Sequence, residues 1–155
     1  MEILFTRIDD RLVHGQVTTT WLRQYRCNSI FIIDDEVAVD SLLKKILKAT
    51  APQDVKMVIL DTKKAIEMLK DNGEEKIFII TKRPRPILKL LENGMKIDSV
   101  NIGGMQPKPG SKKISKAVSV TKEDIDDFKK LAEKGIELEI RMVPTDSRID
   151  LIKLI

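Results

Sequence analysis

The chain holds one histidine, one cysteine, one tryptophan and one tyrosine. A lone cysteine, Cys27, cannot close an internal disulfide, and one histidine beside it argues against a zinc site built from nitrogen and sulfur ligands. No apolar run approaches the roughly 20 residues that a membrane-spanning helix requires. No basic stretch leading into an apolar one opens the sequence, so no secretory signal is expected, and a reducing cytoplasm is the expected location. Aromatic residues make up 4% of the chain and no long basic run occurs, which leaves little to stack on bases or to grip a phosphate backbone. The formal charge of +4 and the pI of about 9.1 are therefore read as suited to an acidic protein partner, with most lysines serving as ordinary solvated surface and no nucleic acid expected.

What is present is the composition of a globular protein, 42% hydrophobic and 34% charged over 155 residues, enough for one domain with a sizeable core. Apolar runs and amphipathic stretches alternate. Strands are expected at 2–8, 29–34, 56–60, 76–81, 98–102 and 136–143, with a further candidate at 117–120; helices are expected at 15–25, 37–49, 62–71, 85–93 and 121–134. Ile77-Phe78-Ile79-Ile80 and Val58-Ile59-Leu60 are continuous apolar runs of the kind parallel strands show when both faces are covered. Thr121 to Asp124 resembles a capping box, and Asn72-Gly73, Asn93-Gly94 and Lys134-Gly135 are helix stops. The tail from Ile149 is expected to form a last turn or an edge segment, and residues 103–116 carry no clear structural signal. Strands alternating with helices predict an α/β fold, an open and mostly parallel sheet of about six to seven strands with helices on both faces.

The chemistry is concentrated between the first strand and the first helix, in Arg7-Ile8-Asp9-Asp10-Arg11-Leu12-Val13-His14-Gly15-Gln16. An unprotonated imidazole is a nucleophile near neutral pH. Free N–H groups at a helix start and a guanidinium three residues back favour a negative group on that imidazole. The combination suggests phosphoryl transfer with His14 as nucleophile and Arg11 gripping phosphate oxygens, against the plainer possibility that Arg11 is a surface residue paired with Asp9 or Asp10. Asp9 and Asp10 can cap the loop, hold Arg11 or accept a hydrogen bond from the ring, and Arg7 can brace them from the strand. Gly15 suits either a tight turn or close approach of a phosphate, and Gln16 is placed to touch a ligand. Thr18, Thr19 and Thr20 are read as surface or filler, Trp21 as core, and Gly103-Gly104 as a turn more than a phosphate cradle.

Strand exits collect on one edge of such a sheet, where ligands bind. The exits at Asp34-Asp35 and Asp61 are acidic; those at Thr81-Lys82-Arg83 and Gly103-Gly104, with Lys108, Lys112, Lys113 and Lys116 beyond, are basic or glycine-rich. With the first strand in the centre, His14 would stand at the border between an acidic and a basic rim. Lys82, Arg83, Arg85 and the 108–116 lysines are candidates for steering an acidic partner. Two other functions fit parts of the pattern. Asp9-Asp10, Asp61, Thr81 and Lys108-Pro109 imitate a magnesium-dependent response-regulator receiver phosphorylated on Asp61, although Lys108 lies well past its strand and neither Arg11 nor His14 is used. A non-catalytic module in which His14 merely hydrogen-bonds a phosphate ligand is the other.

Residues 7–17, followed by Thr20-Trp21, closely resemble the active-site segment of the enzyme IIB subunits of the mannose/fructose/sorbose class of the bacterial sugar phosphotransferase system (PTS). Asn101-Ile102-Gly103-Gly104-Met105 and the run from Lys116 to Thr121 are similar to further stretches of that family, and Val13 stands where some relatives have isoleucine. The resemblance implies a cytoplasmic phosphocarrier with a mostly parallel α/β fold and no cofactor. His14 would be phosphorylated, on Nδ1, by a phosphohistidine of the IIA protein or domain, with Arg11 stabilising the phosphate. The phosphoryl group would then pass to a sugar as the membrane subunits IIC and IID translocate it. Asp9, Asp10, Gly15 and Gln16 would support the phosphate loop.

Overall fold

The computed structural model describes residues 1–155. In chain order it contains β1 (Glu2–Asp9), α1 (Gly15–Tyr25), β2 (Ser29–Ile33), α2 (Ser41–Ala49), β3 (Lys56–Leu60), α3 (Thr62–Leu69), β4 (Lys76–Thr81), α4 (Arg85–Glu92), β5 (Ser99–Gly104), β6 (Lys112–Ser115), β7 (Val118–Val120), α5 (Lys122–Glu133), β8 (Glu137–Ile140) and β9 (Ile149–Asp150). Seven strands form one sheet in the order β3-β2-β4-β1-β5-β8-β9, parallel except for β9, which runs antiparallel to β8. β6 and β7 form a separate antiparallel hairpin.

The strand order explains where the helices go. From β1 the chain steps to β2 and β3 toward one edge, then returns through β4 and β5 to β8. Parallel crossovers keep one hand, so reversing direction moves the connecting helices to the opposite face. α1 and α2 accordingly pack with Phe5, Ile30, Ile32, Phe78 and Ile80. α3, α4 and α5 pack with Ile8, Phe31, Ile33, Ile77 and Ile79. Alternate residues of one strand thus enter two different cores, which is why β2 and β4 read as unbroken apolar runs. Phe5 stacks against both Trp21 and Tyr25 of α1, with ring centroids 4.6 and 4.4 Å away.

Several expected boundaries shift for identifiable reasons. The helix expected at 37–49 is divided: a 3-10 turn covers Val37–Val39, and Asp40, extended at φ −96° and accepting from the Leu43 N–H at 3.0 Å, starts α2. An Asp at an N-cap satisfies a free N–H of the first turn, which it does better than it sits inside a helix. β5 runs on through both glycines, so Gly103-Gly104 is strand and not turn. The unassigned stretch 103–116 contains that strand end and all of β6, paired with β7 to give the hairpin. β8 stops at Ile140 because the next residues turn over the site, where the Met142 carbonyl accepts the Trp21 indole N–H at 3.0 Å. The capping box at Thr121 and Asp124 is formed in both directions. The tail is both an edge strand, β9, and a 3-10 turn at Leu151–Leu154.

Candidate functional site

Residue parity on β1 decides which side chains meet. Phe5, Arg7 and Asp9 share the face under α1, while Ile8 faces the opposite core. Arg7 is 2% exposed and Asp9 fully buried. The Arg7 guanidinium donates to Asp9 Oδ2 at 3.1 Å, to the Asn101 side-chain oxygen, and to the Arg141 carbonyl at 3.2 Å. It also lies over the Trp21 ring, 5.6 Å from the centroid, with Arg141 at 5.1 Å. Room for it exists because residue 103 is glycine: a Cβ there would fall inside the envelope of Arg7 Nη2 and Cζ and lie 2.8 Å from Nε.

Asp9 then organises the loop. Its Oδ1 accepts from the Arg11 backbone N–H at 3.1 Å and from Arg11 Nε at 3.0 Å, and its Oδ2 accepts from Arg11 Nη2 at 3.0 Å. This fork-on-carboxylate pairing fixes the guanidinium plane. Burial acts to raise the Asp9 carboxyl, but its bonds to Arg11 and the charge of Arg7 outweigh that and hold it below its ordinary value. Burial pulls Arg7 down from its ordinary value, while the Asp9 hydrogen bond pushes Arg11 up. One carboxylate facing two guanidinium groups gives the Arg7–Asp9–Arg11 unit one surplus positive charge, with Asp10 nearby as a further acid, and Arg11, with a side chain 41% exposed, is the cation that reaches solvent.

His14 is the N-cap residue of α1. Its backbone N–H donates to Thr18 Oγ1 at 3.0 Å. Leu12 (φ +59°) and Gly15 (φ +54°) take left-handed conformations on either side of it. No atom lies within 4 Å of a Cβ built on Gly15, and its left-handed φ is what the turn into α1 requires. The ring Nδ1 is 3.0 Å from the Leu12 carbonyl oxygen, a hydrogen bond that only a protonated Nδ1 can make. Nε2 has no hydrogen-bond partner and stands 3.7 Å from Asp9 Oδ2. Next to the loop is an open polar cleft of about 510 Å³ lined by Arg11, Asp10, Lys82, Lys108, Asp35 and Glu36 among others.

Residues 3–155 match the profile of the PTS system sorbose subfamily IIB component. The chain belongs to that family. It is 40% identical over 154 residues, 98% of its length and 94% of the other's, to the sorbose-specific EIIB component of Lacticaseibacillus casei. It is also 40% identical to the mannose-specific EIIAB component of Escherichia coli K12, where it aligns over its whole length but spans about half (49%) of the relative. Its fold matches the crystal structure of the IIBSor domain of the Klebsiella pneumoniae sorbose permease with a TM-score of 0.95 at 34% identity, covering 99% of this chain and 95% of that one. Membership implies phosphotransfer in sugar uptake. No helix is long and apolar enough to cross a membrane.

The residues singled out in the sequence of this IIB component separate into three groups. Asp9, Arg11 and His14 come together, with Arg7 bracing them from below. Asp10 is half-buried and serves a different bond, accepting from the Gln106 N–H at 2.6 Å. Gln16 is exposed on the first turn and its side chain makes no hydrogen bond. Asp61 of the receiver-like pattern is the N-cap of α3, accepting from the Lys64 N–H at 2.7 Å, and Asp35 of the acidic β2 exit accepts from the backbone N–H and hydroxyl of Thr62. Family membership sets that alternative aside.

The rim differs from the expected two halves. β4 lies between β1 and the acidic exits of β2 and β3, so His14 has a basic exit on one side and a glycine-rich one on the other. Two candidate steering cations are already neutralised, Arg83 by Asp124 at 2.9 Å and Arg85 by Asp127 at 2.8 Å and Glu123 at 2.9 Å. Thr18, Asn101, Arg141 and Met142, whose sulfur is 3.4 Å from Arg11 Nη2, belong to the site and carried no recognised signal of their own role. Only Asn101 and the glycines after it stood in a stretch that resembled the family.

Proposed function

We propose that this IIB component is a cytoplasmic phosphocarrier that takes a phosphoryl group on His14 from a phosphohistidine of a IIA protein or domain. It passes that group to a hexose-type sugar during uptake through membrane IIC and IID subunits. In the first step the donor's P–N bond breaks as a P–N bond to His14 forms. In the second, a sugar oxygen takes the phosphorus and the hydroxyl proton ends on the released imidazole. Donor and product are both phosphoramidates, so the first step has little net driving force, and catalysis consists of positioning and charge stabilisation.

The observation that carries this is the Arg7–Asp9–Arg11 unit beside His14. A surplus positive charge, held rigidly from beneath, favours a dianionic phosphoryl group on the adjacent ring. The nitrogen involved is a separate question. Nδ1, which the family resemblance implies, is the atom tied to the Leu12 carbonyl, so attack through it requires the ring to leave that contact and give up the Nδ1 proton.

The test is phosphorylation of the protein by the phosphorylated IIA portion of the E. coli mannose relative and, separately, by phosphoramidate, with a His14→Ala variant beside it. Expected is an acid-labile, base-stable label absent from the variant. A label lost in base, or one that survives in His14→Ala, would refute the assignment. Phosphorus–nitrogen coupling by NMR identifies the labelled nitrogen. Arg11→Ala is expected to slow transfer on the order of 100-fold while leaving the fold intact.

A further inference from the structure

The net charge of the chain is not spread over it. Between Asp98 and Glu123 the sequence holds five lysines, Lys108, Lys112, Lys113, Lys116 and Lys122, and neither an acid nor an arginine. With 28 basic and 24 acidic residues in all, the rest of the molecule sums to −1, so this one segment accounts for the whole excess. Four of the five lysines lie on the β6–β7 hairpin and its lead-in loop, and Lys122 opens α5. All five lysines are exposed, and none makes an ion pair. Arg83 and Arg85, by contrast, are held by acids of α5.

The hairpin is firmly mounted and mounted at the site. Val118 and Val120 are buried beneath it. The Met105 N–H donates to the Ala117 carbonyl at 3.0 Å and the Ser119 N–H to the Met105 carbonyl at 2.9 Å, which locks β7 to the end of β5. One residue on, the Gln106 N–H is bonded to Asp10 of the histidine loop. Lys108 shares the polar cleft with Arg11. Across that cleft stand Asp34, Asp35 and Glu36. An acidic surface approaching the site is therefore drawn to the hairpin and repelled from the opposite lip, which sets its orientation as well as its rate of arrival.

We propose that the β6–β7 hairpin is the docking surface for an acidic face of the protein that delivers phosphate to His14, with Lys108, Lys112, Lys113 and Lys116 as the contacting charges. This rests on the phosphocarrier function proposed above. A lipid surface fits the hairpin less well: the most exposed large apolar side chains, Val39, Leu42, Ile46 and Ile149, all lie elsewhere, so nothing on the hairpin would enter a bilayer.

The test replaces the four lysines together (Lys108→Gln, Lys112→Thr, Lys113→Thr, Lys116→Gln) and follows phosphorylation by the phosphorylated IIA portion and by phosphoramidate. In the second reaction ammonia leaves as the P–N bond to His14 forms, and no docking is needed. A control variant removes charge far from the hairpin (Lys44→Gln, Lys45→Gln, Lys48→Gln, Lys70→Gln). Expected is a fall of about tenfold or more in the second-order rate from the IIA donor at low salt, a flattened salt dependence, an unchanged phosphoramidate rate, and wild-type behaviour in the control. An unchanged IIA rate and salt slope in the hairpin variant would overturn the docking surface. So would an equal fall in the control, which makes net charge the cause, or an equal fall with phosphoramidate, which makes the hairpin part of the site's own structure. Binding of the wild type to phosphatidylglycerol vesicles that the variant loses, with IIA transfer intact, would assign the lysines to lipid instead. If phosphoramidate does not label the wild type, it is the phosphohistidine function that fails.

Discussion

Gly103→Ala is the smallest change that reaches the centre of this site. The methyl group would occupy space now held by the Arg7 guanidinium, 2.8 Å from Nε and closer still to Nη2 and Cζ. Arg7 cannot step aside cheaply, since it is 2% exposed and bonded to Asp9, Asn101 and the Arg141 carbonyl. Moving it strips a buried carboxylate of one of two partners, and breaking a buried pair costs about 3–5 kcal/mol. For a domain of this size each kcal/mol shifts Tm by roughly 2–4 °C, so the loss is on the order of 10 °C. Scanning calorimetry and urea unfolding measure it directly. Gly104→Ala is the internal control: there the nearest atom, Asp9 Oδ1, is 3.5 Å away, an ordinary contact, and the change is expected to be small. Shortening the arginine removes the obstacle, so the cost of Gly103→Ala should fall to less than about 1 kcal/mol in an Arg7→Met background, a non-additivity expected only of residues in contact. A Gly103→Ala protein with wild-type Tm, or fully additive costs in the double variant, would refute the packing that holds Asp9 and, through it, Arg11.

Asp9 makes a signed prediction. Its carboxyl is held below the ordinary value of 3.8, so the stability it confers is fully present above that pH and is lost as pH falls through the lower, folded-state value. Wild-type unfolding free energy should therefore drop below about pH 4, and an Asp9→Asn variant, less stable at pH 7, should lose less over the same interval; parallel curves would contradict the assignment. Burial pushes the Cys27 thiol up to about 12, so at pH 8 about one thiol in ten thousand is ionised and disulfide reagents should react far more slowly with native than with unfolded protein. Reaction of the native protein at the rate of free cysteine would show the thiol to be accessible and unshifted. Asp40→Ala removes the cap of α2 and should cost about 1 kcal/mol in urea unfolding without altering His14 phosphorylation.

Local rules made much of this protein legible before any coordinates. Apolar runs and helical periodicity identified the α/β class and all five helices, because both depend on residues within a few positions of each other. The Arg7-to-Gln16 stretch was recognisable for the same reason: its residues are contiguous, and they meet at the end of one strand. The errors came where a local signal had two meanings. Two glycines read as a turn proved to be strand, and at Gly103 an arginine from β1 occupies the space that the missing side chain leaves. The lysine-rich stretch from 103 looked unstructured because β6 is short and mostly polar, and only its pairing with β7 makes it a strand. Strand order, the interposition of β4 between β1 and the acidic exits, and the neutralisation of Arg83 and Arg85 were beyond reach. Each depends on partners far apart along the chain, 41 residues for Arg83 with Asp124 and 42 for Arg85 with Asp127, and sequence spacing carries no information about which distant groups meet.

The sequence by itself determined that an imidazole and a guanidinium would share one loop at the carboxyl edge of a parallel sheet. Only the tertiary structure decided how they are held. Asp9 is fixed by Arg7 from below and fixes Arg11 above, with Asn101 and Gly103 of β5 and the Arg141–Met142 turn closing around them. A nucleophile and its cation can be specified by adjacency along the chain. The low-dielectric socket that keeps a charge in place needs several strands to converge, and convergence is a property of the packed fold.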